Sequence, residues 1–600
     1  MSLTVPNLDL APIGNCAIAS LVDINARHVW FCFPRLDGDP VFNALVNGDD
    51  PAAGFMDIHV EGQASSRQTY VRNTAILETH ILTDADEELR VLDFAPRFTQ
   101  YGRSYRPPLL VRRIEPVRGQ PRVALRVRPT FGYGTATPQT SIGSNHVRFL
   151  SGDAVLRVTA DIGPSFILDE AQFVLANPVN LFIGPDEAVL EALDGLARRF
   201  LHETSTYWTE WVRNLAVPFE WQDAVIRAAI TLKLCSYEET GGIVAALTTS
   251  IPEAPGSERN WDYRYCWLRD SYFTVNALNR LSTTRTMENY VRYLLDTVVR
   301  ERADHLHPLY PIISRNGLDE RTAPALEGYR GIKPVRIGNA AAQQRQNDVY
   351  GSVVLSAAQI FWDRRIPTIG GTNLYRRLSP LGELALGCAL DPDAGPWEYR
   401  GRRHVFTYSA TMCWAAASRL AMIADKLGLA DDARHWTTGA DALKQQILDR
   451  AVTDEGWISG ALDAKVADAS VLLLPRLGLL SADDERFLRT LTMTEKRLFR
   501  QGFLLRYDEA DDFGVPETAF LVCTFWYVDM LARTGRGSQA REMFTELLQR
   551  RNGAGLLSED IHPVSGELWG NYPQTYSLVG LILGAHRLSR SWEQGLSHDS

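Results

Sequence analysis

Cysteine is sparse in this 600-residue chain, and its seven residues (16, 32, 235, 266, 388, 413 and 523) are scattered and odd in number. No CxxC or Cys/His spacing of a zinc site appears, which leaves buried free thiols in a reducing compartment. An excess of basic charge is also missing. Lys and Arg number 62 against 72 Asp and Glu, and the formal charge of −10 argues against nucleic acid or an anionic membrane as partner. No apolar run approaches the roughly 20 residues that span a bilayer. Met1–Asp9 has neither the charged nor the apolar region of a signal peptide, so an unexported, soluble, cytoplasmic protein is expected. A phosphate loop, a GxSxG elbow, a catalytic Cys/His pattern and a His-rich metal cluster are all absent, and neither cofactor nor metal is expected. His562 is read as an ordinary histidine.

What is present falls into two parts, since 600 residues exceed what one core organises. Up to about residue 185, short β-type runs such as His28–Phe33, Glu88–Phe94, Pro121–Pro129 and Ala154–Ala160 alternate with Gly/Asp/Asn/Pro clusters, the pattern of an antiparallel sandwich. Residues 186–215 read as a helical linker, with Leu190, Leu193, Leu196, Ala197 and Phe200 on one side. From Phe219 onward the period becomes 3.6, over about twelve helical segments that include 285–302, 341–362 and 465–474. Their loops alternate between short and long, and 303–340 is very long for a compact domain. Six helical hairpins closed as an (α/α)6 barrel over 216–600 are expected. An open solenoid is disfavoured because no repeat of fixed period is visible.

The densest chemistry lies in Arg259–Asp270, which holds three arginines, two aspartates and four large aromatics. Aromatic faces stack on sugar rings, and Arg and Asp supply the fixed donors and acceptors that hydroxyls need. An interface rich in aromatics and ion pairs is the bland alternative. Gly395–Gly401 places Glu398 between Trp397 and Tyr399, where desolvation raises a carboxyl toward the range of a general acid, although this loop alone favours a surface glutamate beside packing aromatics. Glu559 follows the apolar Leu556-Leu557. Glycosidic hydrolysis needs two opposed carboxyls, and Glu398 with Glu559 forms a reasonable pair whose separation a sequence does not give. The loop 326–339 offers Arg330, Lys333 and Arg336, and leads to the polar cluster Gln343, Gln344, Gln346, Asn347 and Asp348, for which helix capping is the alternative.

Together these segments resemble the bacterial branch of glycoside hydrolase family 15, which includes glucoamylases, glucodextranases and trehalases. The resemblance runs from Ile13-Gly14-Asn15 and His28–Asp37 through Arg259–Asp270, Gly328–Asn339 with Asp348–Gly351, Gly395–Glu398 and Leu557–Gln574. It implies an N-terminal β-supersandwich, a catalytic (α/α)6 barrel and an inverting mechanism, with Glu398 as acid and Glu559 as base. It also implies that Arg269 and Asp270 grip the non-reducing glucose, that Trp267 and Trp397 wall its pocket, and that Arg506-Tyr507 bind around the cleaved bond. Asn15, Asn347 and Leu578 depart from the family's usual aspartate, apolar residue and histidine, which leaves the leaving group undecided. The expected activity is exo-acting release of β-glucose from soluble α-gluco-oligosaccharides or disaccharides. Glucoamylase-like cleavage ranks first and trehalase close behind. A disaccharide phosphorylase and a silent sugar-binding protein rank lower, and a homo-oligomer is left open.

Overall fold

The computed structural model describes residues 6–298, 305–313, 318–366 and 370–596. The end of the helix expected over 285–302 and parts of 303–340 lie outside the described residues. Alternation in the first part builds two antiparallel sheets. One runs in the order Ala11–Gly14, Ala19–Val22, His28–Phe33, Phe55–Val60, Arg122–Arg128 and Phe173–Val174, with Asp39–Phe42 also paired to His28–Phe33. The other runs Gln139–Ile142, His146–Ser151, Ala154–Ala160, Val179–Gly184, Leu110–Arg118, Glu88–Phe94, Leu77–Thr83 and Gln63–Tyr70. Their inner faces share one core containing Phe31, Phe42, Leu77, Val91, Leu125, Val158 and Ile183. This is the expected sandwich.

A 21-residue helix, Leu193–Arg213, follows. The helices after it form two concentric layers. The inner layer is Leu268–Arg280, Asp348–Ala358, Thr407–Lys426, the short pair Ala469–Leu473 and Leu474–Leu477, Leu521–Arg533 and Thr575–Leu588. Each packs on the next, and Thr575–Leu588 packs back on Leu268–Arg280, so the ring closes. Gln222–Leu234, Thr284–Tyr293, Thr372–Cys388, Ala430–Ala451, Glu485–Leu498 and Gly537–Gln549 pack outside it. Inner helices are buried on most of their surface, as packing on both sides requires; Thr407–Lys426 has 14 buried residues and Leu268–Arg280 buries Arg269, Asp270 and Asn279 as well as its apolar side chains.

Two expected helices are corrected. Over 341–362 the chain makes a 3₁₀ turn at Ala340–Gln343, runs extended through Gln344, and becomes helical only at Asp348–Ala358. Asn339 caps the turn through Ala341 N–H (2.9 Å), while the Asn347 N–H donates to Asp393 (2.7 Å), and these side-chain bonds interrupt the ladder. Over 465–474 the chain is likewise a capped 3₁₀ turn, with Asp468 accepting from Ser470 N–H at 2.8 Å. No helix of the described residues is long and apolar enough to cross a membrane.

Arg264 ties the two parts together. Its guanidinium is paired with Asp262 and donates to the Gly38 carbonyl and the Tyr133 hydroxyl (both 2.8 Å) of the sandwich. The run 259–270 is thereby fixed from below before it enters the inner helix.

Candidate active site

Five of the six inner elements begin at one cavity, and the sixth, Asp348–Ala358, reaches it through the Asp348–Arg269 pair. Trp267, Arg269 and Asp270 stand at the start of one inner helix, Tyr408, Phe520 and Gln574 with Tyr576 at the starts of three others, and Ser470 on the inner 3₁₀ turn. The loops 253–263, 396–400, 506–513 and Glu559 complete the wall of a space of about 950 Å³ including its mouth. That is the size range of small-molecule sites. All eight residues singled out from the sequence line it: Glu398, Glu559, Arg269, Asp270, Trp267, Trp397, Arg506 and Tyr507.

Glu398 sits in a left-handed backbone conformation, φ +62°, which costs free energy for a non-glycine residue and is held by its surroundings. Trp267 Nε1 (2.6 Å) and Arg269 Nη2 (3.1 Å) both donate to its Oε1, while Oε2 has no partner among the described residues. The side chain keeps 21% exposure. Arg269 is itself fixed by Gln346 (2.8 Å) and Asp348 (3.0 Å), so the polar cluster before the second inner helix holds the arginine rather than merely capping. Trp397 is set among Tyr507, Phe520 and Trp526 and donates to Asp468 at 2.8 Å.

Glu559, 1% exposed, lines the same cavity. Its Oε1 accepts from the Tyr263 hydroxyl (2.7 Å) and its Oε2 from the Asn571 N–H (3.3 Å). Gly570 makes this approach feasible, since a Cβ there would lie 2.8 Å from Oε2 and 2.6 Å from the Glu559 Cβ. Tyr263 and Trp267 meet edge to face with centroids 5.2 Å apart. The two carboxyls are therefore separated by a pair of aromatic rings, each held by one of them.

Burial raises the Glu559 carboxyl well above the usual range, and the charges of Glu253 and Asp560 push the same way. Tyr263 and Arg506 oppose them. Burial and Glu253 also raise Asp560, to about 8. These buried acids cannot all ionise together. Both Glu559 oxygens accept hydrogen bonds, whereas Asp560 Oδ2 has no partner among the described residues. The shared proton is therefore best placed on Asp560, with Glu559 as the carboxylate. Arg506 pairs with Glu253, and Tyr507 donates to Asp511 at 2.5 Å. Asp270 is raised to about 7 by burial, with Arg269 opposing and Glu398 adding to the shift. The Tyr408 and Tyr576 hydroxyls, Ser470 Oγ and Arg506 Nε are buried without a protein partner among the described residues. A polyhydroxylated ligand would satisfy such groups.

The profile of Glycosyl hydrolases family 15 matches residues 221–585, more than half the chain. The chain belongs to that family. It is a glycosidase, and a second profile, Trehalase-like, N-terminal, matches residues 6–166. Among similar proteins, the trehalase of Thermoplasma volcanium is 31% identical over 96% of this chain and 93% of its own length. That of Thermoplasma acidophilum is 30% identical over 96% and 99%, and that of Mycobacterium tuberculosis 29% over 98% and 90%. A bacterial glucoamylase solved with acarbose shares the fold, with a TM-score of 0.67 over 98% of this chain and 94% of that one at 13% identity.

Several residues lining this family 15 pocket carried no distinct signal in the sequence. Glu253 lies between Pro252 and Pro255 and reads as a turn. Asp511 and Asp512 belong to the acidic stretch 508–512, which reads as a solvated face. Tyr263 stood in view within the aromatic run, but its phenol required a partner 296 residues away.

Proposed function

We propose that this family 15 glycosidase hydrolyses α,α-trehalose with inversion, Glu398 acting as general acid and Glu559 as general base. The observation that supports the mechanism is a pair of cavity carboxyls joined through the Trp267 and Tyr263 rings: one has an oxygen without a partner among the described residues beside Arg269, and the other accepts hydrogen bonds at both oxygens. The donor glucose lies on the floor against Arg269, Asp270 and Trp267, and the leaving glucose lies toward the mouth between Trp261, Arg400 and Phe513. Glu398 gives its proton to the glycosidic oxygen as the C1–O bond breaks. Water adds to C1 from the opposite face and loses a proton to Glu559. Glucoamylase-like cleavage of oligosaccharides uses the same chemistry. The names of the full-length relatives and the match to a trehalase-type N-terminal profile weight the choice toward trehalose.

In the same reading, 1–185 is the sandwich domain, 186–215 the linker and 216–600 the catalytic domain. A cytoplasmic location is supported by seven buried cysteines, all free. The test is proton NMR of the first turnovers on trehalose. Inversion gives one β-glucose from the donor and one α-glucose from the leaving group, in equal amounts before mutarotation. Release of α-glucose alone overturns the mechanism, and absence of cleavage with turnover of maltose overturns the substrate.

A further inference from the structure

The loop carrying Glu398 is closed at its base by the Asp393–His404 pair and by the bonds Glu398 N–H to Gly395 O (3.2 Å) and Tyr399 N–H to Ala394 O (3.0 Å). Beyond Tyr399 it is held by a second loop across the mouth. One oxygen of Asp512, Oδ2, accepts the backbone N–H of both Arg400 (2.9 Å) and Gly401 (3.0 Å). On either side of this contact, Arg402 pairs with Glu509 (3.0 Å) and donates to the Ala510 carbonyl, while the Arg400 guanidinium pairs with Glu320 (2.7 Å) and covers the Trp261 ring at 4.1 Å. The second loop is anchored in turn: Asp511 accepts from Tyr507 and Arg259 and from the Phe513 N–H (2.8 Å), and Arg259 also reaches the Gly514 carbonyl.

We infer that Asp512 is a positioning residue for protonation of the leaving group: its carboxylate latches the 398–402 loop to the 507–515 loop and so keeps Glu398 aimed at the glycosidic oxygen. Two features lead from the contact to that role. Glu398 is held at φ +62°, a conformation its own sequence does not favour, and the two amides fixed by Asp512 follow it by two and three residues. Gly401 lies so close that a Cβ there would sit 2.3 Å from Asp512 Oδ1, although its backbone is not left-handed. The absence of a side chain at 401 thus serves the approach of Asp512.

The inference rests on the reading of Glu398 as the acid, and the test separates the two. Trehalose needs its leaving oxygen protonated, whereas fluoride leaves α-glucosyl fluoride without a proton from the acid, while Glu559 still takes the proton of the attacking water. Misplacing a reacting group costs on the order of 100-fold. Asp512→Ala is therefore expected to lower kcat on trehalose about 10- to 100-fold, while kcat on α-glucosyl fluoride stays within about threefold. Asp512→Asn retains one acceptor oxygen for both amides and is expected to restore trehalose turnover. Gly401→Ala, which pushes Asp512 away from the other side, is expected to reproduce the Asp512→Ala pattern. Asp512 is exposed, and its substitution is expected to leave the unfolding transition in place. Equal losses on both substrates, or no loss on either, overturn the latch. Glu398→Gln measured on the same pair is the control. If it is selective for trehalose and Asp512→Ala is not, only the latch fails. Should Glu398→Gln lose both substrates equally, the acid assignment itself fails.

Discussion

Replacing Tyr263 with Phe removes one hydroxyl from the wall that holds Glu559 and keeps the ring that packs on Trp267. The lost bond is 2.7 Å long, is half-buried, and is made to the carboxyl on which the attacking water depends. Hydrogen bonds to charged groups contribute about 1.5–3 kcal/mol. One pKa unit corresponds to about 1.4 kcal/mol, so losing this donor to the charged form raises the Glu559 pKa by about one to two units. The base is active when ionised, and its pKa sets the acid limb of kcat/KM. That limb is therefore expected to move up by about one to two pH units. Activity falls on the acid side and recovers on the alkaline side. The assay is kcat/KM for trehalose at closely spaced pH values, with thermal unfolding as a control for folding. A uniform loss at every pH, or an acid limb that stays in place or moves down, refutes the assignment of Tyr263 as the donor that keeps Glu559 ionised.

Glu398→Gln and Glu559→Gln should each lower kcat by about 10²- to 10⁴-fold in steady-state assays without loss of the folded state, and a variant with near wild-type turnover removes that residue from its role. Burial would raise the Asp93 carboxyl, but Arg112 and His28 outweigh it and hold it at about 2. Its contribution of about 2 kcal/mol is present above the ordinary carboxylate range and is lost as pH falls from about 4 to about 2. Asp93→Asn should flatten the acid-side loss of Tm seen by calorimetry. Asp270 behaves with the opposite sign. Raised to about 7, it holds a proton in the folded state that the unfolded chain releases near 4, so stability falls as pH rises through that window. Asp270→Asn should make Tm less pH-dependent between pH 4 and 7.

The sandwich was legible where strands alternate. His28–Phe33, Glu88–Phe94 and Ala154–Ala160 have the same bounds in the sequence reading and in the structure. Ala11–Gly14 and Val179–Gly184 escaped because every residue in them is buried, which removes the period-2 signal. Asp39–Phe42 carries Pro40, a residue that marks turns and edges more than strands. The cavity is lined by side chains that had a local pattern, a carboxyl after an apolar run at 559 and an Arg-Asp pair at a helix start, whereas the carboxyl between aromatics at 398 stood out only through the family resemblance. Glu253, Asp511 and Asp512 take their role from partners 253, 252 and 112 residues away, and local composition describes none of these contacts.

The direction of the ring explains why so much acid collects at one end. Five of the six inner elements start at the cavity, and the first N–H groups of a helix carry partial positive charge, stabilising a nearby anion by about 0.3–1 kcal/mol each. Asp270 and Asp348 occupy first turns, and Asp468 caps the inner 3₁₀ turn. Glu253, Glu398, Glu559 and Asp560 stand in the loops around those ends, with Arg259, Arg269 and Arg506 among them. Helix ends and arginines together offset part of the desolvation, which still raises Asp270, Glu559 and Asp560. The ring therefore accounts for how so many acids are gathered at the cavity, but it does so equally for any sugar that reaches the floor. What distinguishes one α-glucoside from another must lie where the ring does not reach, in the loops 253–263, 398–402 and 507–515 around the leaving group. Substitutions there are expected to change which glycoside is cut, and substitutions at the helix starts to change how fast.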